Sequence, residues 1–362
     1  MIPLRQLCIW LLLSSVLAVL PTEITHAQSA NKRLIEVYRF EGRMANPTDF
    51  YLLEDDQAVL IDRDRPDCAL ALVQMPSGEH RQCYRIGQGP GEIQSRGTKV
   101  MYRFSDGRLW LTDGGRPKIY ASDLEFIGNV RGGRGSFSRM LPINDSTVVA
   151  TPFIGAEAFL HFYRMDPSGT LSEEPIHSVQ LDSSSPLFPV TQNFMLNQGP
   201  YAGREDALFM GFNYSSHLVK VTARGIHSVN DDPADIPFPE YNLGDNGGYE
   251  APNSADFPEC TMGIATDEQY VYVLHHGETF DIGPVRQLIA MARGRIAAKI
   301  EAWELTDRVF IYDGTTGDFV REIQLPVRAR KVRVTDRYLY VLTISDGPAT
   351  IIKYEKPATW AL

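Results

Sequence analysis

The chain reads as an all-β protein, a six-bladed β-propeller of four-stranded antiparallel blades. Three observations predict it. Short alternating apolar segments, separated by Gly, Pro, Asp or Asn turns, fill the sequence from Ile35 onward. A turn acid followed by such a segment recurs at Asp56, Asp106, Asp145, Asp206, Asp267 and Asp336, spaced by roughly 40 to 70 residues, the range of propeller repeats. Finally, the last repeat stops after its third strand, while residues 35–40 form a strand with no neighbour in sequence. Pairing the two closes a ring and removes the edges that an open array would expose.

The elements follow in order. Residues 1–27 are a secretory signal peptide: Arg5 precedes an apolar run from Leu7 to Leu20 that is short for a bilayer span, and Thr25-His26-Ala27 is a small-x-small cleavage site. Cys8 precedes the apolar run and is not placed for lipidation. Residues 28–362 form one propeller domain, exported to the periplasm or cell exterior of a bacterium. The first blade holds strands around Phe50–Leu53, Val59–Ile61, Leu70–Val73 and Arg81–Ile86, and the second runs from Lys99 to Gly128. The third covers residues 137–181 and the fourth 193–229. The fifth begins at Cys260, carries an insertion over 276–303 and resumes at Val309. The sixth is built from Lys331–Val334, Tyr338–Val341 and Thr350–Tyr354. Within the insertion, Leu288, Ala292, Ile296, Ile300 and Trp303 make a helical stripe, read as packing on a blade, with a membrane-surface helix as the sharper alternative.

A hydrophobic content of 43% supplies a core, and a net charge of −10 argues against a nucleic-acid partner. The chain is read as a monomer with no transmembrane segment after cleavage. Cys68, Cys83 and Cys260 remain in the mature chain. Cys68 and Cys83 flank a hairpin turning at Pro76-Ser77-Gly78 but sit about three positions out of step across it, so at ~3.3 Å per residue they are expected to be free thiols.

If the strands of a blade are a, b, c and d from the axis outward, the b–c and d–a connections share one face. The long connections, over residues 87–97, 131–135, 182–189, 231–259 and 275–303, all belong to these two classes, so function is expected on that face. Candidate ligand-binding residues there are Arg65, Glu92, Arg96, Arg131, Asn193, His275 and His276. Arg63, Asp64, Arg65, Arg96, Arg116, Arg131 and Arg134 form a charged arc opposite the connection over 231–259, which holds eight acidic residues and no Lys or Arg. Such a bipolar rim would orient an anionic or zwitterionic ligand. The acidic connection is read as solvated, since it lacks the ligand spacing of a calcium loop. His275 and His276 with Glu278 and Asp281 could hold a divalent metal, but no spaced ligand set accompanies them, so no cofactor is assigned.

Gly87-Gln88-Gly89-Pro90-Gly91-Glu92 is a tight d–a corner in which Gly87, Gly89, Pro90 and Gly91 are structural and Glu92 caps amides of its own turn. No helix follows, so it is not a dinucleotide loop. Ile86-Gly87 leading into Gly89-Pro90-Gly91-Glu92, after a first blade and behind a signal peptide, resembles the six-bladed propeller family of exported Bacteroidetes-type proteins, related at fold level to NHL and TolB propellers. The family corner carries extra residues before Gly-Pro-Gly-Glu and an aromatic after it, where this chain has Ile93. The resemblance implies fold and compartment but no reaction. The expected function is a binding module whose loop-rich face takes a peptide, glycan or protein. The alternative is a metal-dependent hydrolase or lyase of the gluconolactonase type, with Glu92, Asn193, His275 and His276 as ligands at the channel mouth.

Overall fold

The computed structural model describes residues 34–41, 44–54, 56–62, 64–94, 99–113, 116–135, 137–152, 158–192, 196–204, 206–230, 234–239, 258–278, 305–344, 349–357 and 360. Residues 1–33, most of the acidic connection, nearly all of the 276–303 insertion, Arg63, Arg96 and Asn193 lie outside them.

The first strand, β1 (Ile35–Phe40), belongs to the last blade. Blade one is β2 (Pro47–Glu54), β3 (Gln57–Asp62), β4 (Leu70–Gln74) and β5 (Glu79–Tyr84), and blade two is β6 (Lys99–Arg103), β7 (Leu109–Asp113), β8 (Arg116–Tyr120) and β9 (Phe126–Asn129). Blade three is β10 (Phe137–Asn144), β11 (Thr147–Pro152), β12 (Leu160–Arg164) and β13 (His177–Val179), followed by the short helix α1 (Phe188–Gln192). Blade four is β14 (Tyr201–Arg204), β15 (Ala207–Phe212), β16 (Ser215–Thr222) and β17 (Gly225–Asn230). Blade five is β18 (Glu259–Thr266), β19 (Tyr270–Glu278), β20 (Thr306–Asp313) and β21 (Phe319–Ala329), and blade six is β22 (Lys331–Val334), β23 (Tyr338–Thr343), β24 (Thr350–Glu355) and β1.

The ring closes as expected: β1 pairs antiparallel with β24, from Ile35 opposite Glu355 to Phe40 opposite Ile351. Around the axis β2 packs on β6, β6 on β10, β10 on β14, β14 on β18, β18 on β22, and β22 on β2.

Each blade is sandwiched between two others, and this explains the composition of the middle strands. Val59 and Ile61 of β3 face blade two, while Ala58 and Leu60 face blade six. Along β19, Val271 and Val273 pack on blade four and Tyr272 and Leu274 on blade six. A strand buried on both faces is apolar at consecutive positions, not only at alternate ones. Six apolar clusters result, one between each pair of neighbouring blades.

Three of the recurrent turn acids reach the preceding blade. Asp56 meets the Tyr38 hydroxyl and the Lys353 ammonium, each at 3.0 Å. Asp145 accepts from Tyr102 at 3.2 Å and from the Ser105 amide at 3.1 Å, and Asp206 accepts from Asn144 at 3.1 Å. The repeat motif therefore ties blade to blade as well as making turns.

One expectation is overturned. Cys68 and Cys83 form a disulfide, with their Cα atoms 5.1 Å apart. The register of the β4–β5 hairpin is close to that expected, with Ala71 opposite Cys83, but Cys68 is not an extended continuation of β4. The Cys68 amide donates to Arg65 at 3.0 Å and the Ala69 amide to Tyr84 at 2.8 Å, so the chain folds back before the strand and brings Cys68 across to Cys83. Cys260 is a buried thiol.

Candidate functional site

The innermost strands gather charge at one end. Lys99 and Lys331 open β6 and β22, Arg333 follows two positions later on the same side of β22, and Arg139 is the third residue of β10. Asp49 is the third residue of β2 and Tyr201 the first of β14. These are the ends at which the d–a connections arrive, so the cluster lies toward the face of the long connections. Lys99 is within electrostatic reach of Asp49, Arg139 and Arg333, and Lys331 of Asp49, Lys99, Arg333 and Arg330. Tyr201 in turn feels Arg139, Asp49 and Arg333. Groups from blades one, two, three, four and six thus converge on one region, and the axis is the region common to them.

Most of these cations are also clamps. Arg333 donates to the carbonyls of Phe50 and Val332 at 2.8 Å and to Asp49 at 2.6 Å, joining β22 to β2. Arg330 donates to Asn46 at 2.8 Å and to the Pro47 carbonyl at 3.1 Å. Lys331 reaches the Met262 carbonyl of β18 at 2.7 Å, and Arg139 the Gly199 carbonyl at 3.0 Å. The Lys99 ammonium makes no hydrogen bond or ion pair to any described residue.

Backbone carbonyls solvate Arg139 and Lys331 without neutralising them. Among the described residues, Asp49 pairs with Arg333 and is the carboxylate that acts on Lys99 and Lys331. Burial, reinforced by Lys99, Arg333 and Arg330, lowers the Lys331 pKa to about 8 although Asp49 opposes it. Burial likewise lowers Lys99, with Arg139 and Arg333 adding to it. Burial raises the phenols of Tyr51 and Tyr201, keeping both protonated donors beside the cations. In a chain of net charge −10, this is a local cationic site.

The residues singled out from sequence are not brought together. Arg65 is half-buried on the rim, lining a cleft of about 620 Å³ with Arg39, Glu41, His80 and Cys83 between the outer strands β1 and β5. Arg131 is exposed at the blade two–three boundary, where its backbone bridges Thr170. His275 and His276 are buried, 0% and 2% exposed, within blade five. The His275 ring lies 4.5 Å from Phe310, on the side of the strand facing blade four, and burial with nearby Arg308 and His276 lowers its pKa to about 3. β19 runs on past both to Glu278 and pairs His275 with Arg308, so the histidines end up inside the sheet rather than on its rim.

Glu92 accepts from Arg85 at 2.5 Å and from the Gly89 amide at 2.7 Å, and these contacts lower its pKa. Gly91 has φ +76° and lies against the Tyr84 ring, while a Cβ on Gly87 would collide with the Glu92 carboxylate. Blade two holds the corner from beneath. Tyr120 donates to Gly91 O at 2.9 Å, Lys118 to Glu92 O at 2.5 Å, and Asp113 accepts the Gln94 amide at 2.8 Å. Gly89, Pro90, Lys118 and Met140 border a second cleft, of about 550 Å³.

No protein family matches the chain, and no curated protein does. Solved structures resemble it as folds. A Bacteroides fragilis protein assigned as exported is 11% identical, with a TM-score of 0.50, over 90% of this chain and 94% of that one. A β-propeller domain from Myceliophteria thermophila is 12% identical, with a TM-score of 0.45, over 90% of this chain and 100% of that one. The extracellular domain of a hybrid two-component system from B. thetaiotaomicron is 11% identical, with a TM-score of 0.44, over 85% of this chain and 33% of that one.

Proposed function

We propose that this six-bladed propeller is an exported binding module whose axial cluster takes an anionic ligand, a glycan or peptide bearing carboxylate, sulfate or phosphate groups. The observation that carries the reading is Lys99, a cation held among Arg139, Arg333 and Lys331 with no hydrogen-bond or ion-pair partner among the described residues. Gathering like charges while desolvating them costs free energy in the empty protein, and an entering anion recovers it. Export is supported by the leader-like 1–27 segment, by the Cys68–Cys83 disulfide, which persists in oxidising compartments, and by the likeness in fold to an exported B. fragilis protein.

The reading is tested by calorimetric titration with oligogalacturonate, a sulfated oligosaccharide, inorganic phosphate and a neutral oligosaccharide of matched length. At least one anionic probe is expected to bind, with affinity that falls as salt rises, and Lys99→Met is expected to weaken it at least tenfold. Equal binding of the neutral probe, or unchanged affinity in Lys99→Met, would place the site elsewhere.

A further inference from the structure

The outer rim of blade one carries a second constellation. The His80 Nδ1 atom lies 3.7 Å from the Cys68 sulfur and 3.8 Å from the Cys83 sulfur. Among the described residues these three form the one group of His, Cys, Asp or Glu side chains whose donor atoms approach closely enough to share an ion. His80 and Cys83 sit on the wall of the rim cleft that Arg39 and Arg65 also line, with Cys68 buried behind them. The fold-back before β4 puts Cys68 beside the β4–β5 hairpin, while His80 and Cys83 come from β5 itself.

We propose that Cys68, His80 and Cys83 are a redox-gated metal site: a disulfide when oxidised and, when reduced, a three-ligand site for Zn²⁺ or a similar borderline-soft divalent ion. In a tetrahedral zinc centre with Zn–S of ~2.3 Å and Zn–N of ~2.0 Å, sulfur and nitrogen ligands stand ~3.5 Å apart and two sulfurs ~3.8 Å. Both nitrogen-to-sulfur separations here are already near that value, so the sulfur-to-sulfur distance is the one that must open. Reduction supplies this. A dithiol reductant attacks the Cys68–Cys83 bond through a mixed disulfide, gives up two electrons and leaves as its own disulfide, and the two cysteines become thiols. The metal displaces their two protons, His80 binds neutral through Nδ1, and the fourth position opens to the cleft for water or a ligand. Disulfide and metal exclude each other, so the rim responds to the redox state of its compartment.

The test uses the full mature chain in a Cys260→Ser background, so that only these two thiols report. Protein reduced with a phosphine, then freed of it without air, is titrated with Co²⁺ and Zn²⁺. The expected result is one Co²⁺ per chain with thiolate-to-cobalt charge-transfer absorption in the near ultraviolet, displaced by one equivalent of Zn²⁺. The oxidised protein shows no such band. His80→Ala, in which the disulfide still forms, is expected to weaken the reduced site at least tenfold. Should reduction loosen blade one, Zn²⁺ is expected to restore the melting temperature of the parent but not of His80→Ala. The proposal is overturned by absence of the band in reduced protein, by equal affinity in the oxidised form, or by equal affinity in His80→Ala.

Discussion

Two clusters of basic and acidic side chains, one at the ends of the innermost strands and one at the blade one–two corner, differ in balance. At the blade one–two corner, Lys118 pairs with Asp113 at 2.7 Å with both side chains under 10% exposed, and Arg85 pairs with Glu92 at 2.5 Å. Each of these charges has an opposite, and Lys118, Glu92 and Asp113 also meet a carbonyl or amide of the corner. On the axis, Lys99, Lys331 and Arg333 share Asp49. The same residue types therefore do different things. A balanced network fixes the chain, whereas an imbalance held in place by a rigid scaffold is a standing attraction for something absent.

The sharpest way to break the comparison is to unbalance the corner. Asp113→Ala leaves the Lys118 ammonium buried without its carboxylate and frees the Gln94 amide, so a loss of about 3–5 kcal/mol in unfolding free energy is expected. Denaturant titration measures it. Anion affinity, measured on the fraction still folded, is expected to be unchanged. A loss below about 1 kcal/mol would show that the corner is no more than a surface network.

A smaller effect, opposite in sign, is expected on the axis. Lys331→Met keeps the volume and removes one of the mutually repelling charges, at the loss of the bond to the Met262 carbonyl. The empty protein is expected to be as stable as the parent or more stable by about 1 kcal/mol, while anion affinity falls at least tenfold. If Lys331→Met destabilised as strongly as Asp113→Ala, the axial cations would be clamps alone, and the distinction between the clusters would collapse.

The fold was largely legible because propeller strands announce themselves locally: alternation, turn acids and the unpaired strand at Ile35–Phe40 were enough to infer ring closure. The site was not. Lys99, Arg139, Lys331 and Arg333 each look like an ordinary polar residue at the start of a strand, and nothing near any of them in sequence marks it. Only the circular arrangement of six blades brings them to one axis. Sequence patterns point to loops and so to Arg65 and Arg131, of which the first lines the rim cleft of blade one and the second is exposed at the blade two–three boundary. They mark His275 and His276 as rim residues because they end strand b too early. A signal for the axis is nevertheless present in the sequence: three of the six innermost strands carry Lys or Arg within their first three positions. The disulfide escaped because a hairpin register fixes only residues that remain in the ladder, and Cys68 lies in a turn.

The smallest predicted effect separates the two clusters by pH. Burial and the neighbouring Lys99, Arg333 and Arg330 lower the Lys331 pKa to about 8, against an ordinary value of 10.5. Below pH 8 the ammonium is charged in both folded and unfolded chains, and the folded state carries the full repulsion. Between pH 8 and 10.5 the folded chain releases the proton while the unfolded chain keeps it. The unfolded state then binds more protons, so stability rises with pH in this window. Lys99, lowered for the same reasons, adds to the slope. The buried tyrosines oppose it from about pH 10, where unfolded phenols ionise and folded ones do not, so the slope is read between pH 8 and about 9. Unfolding free energy is expected to climb over that unit in the parent and to stay nearly flat in Lys331→Met, while Asp113→Ala, destabilised throughout, keeps the parental slope. Saturating anion should abolish the rise, because a bound negative charge returns the Lys331 pKa toward its ordinary value. A parent protein whose stability is flat or falling from pH 8 to 9 would mean that the axial charges are already balanced without a ligand.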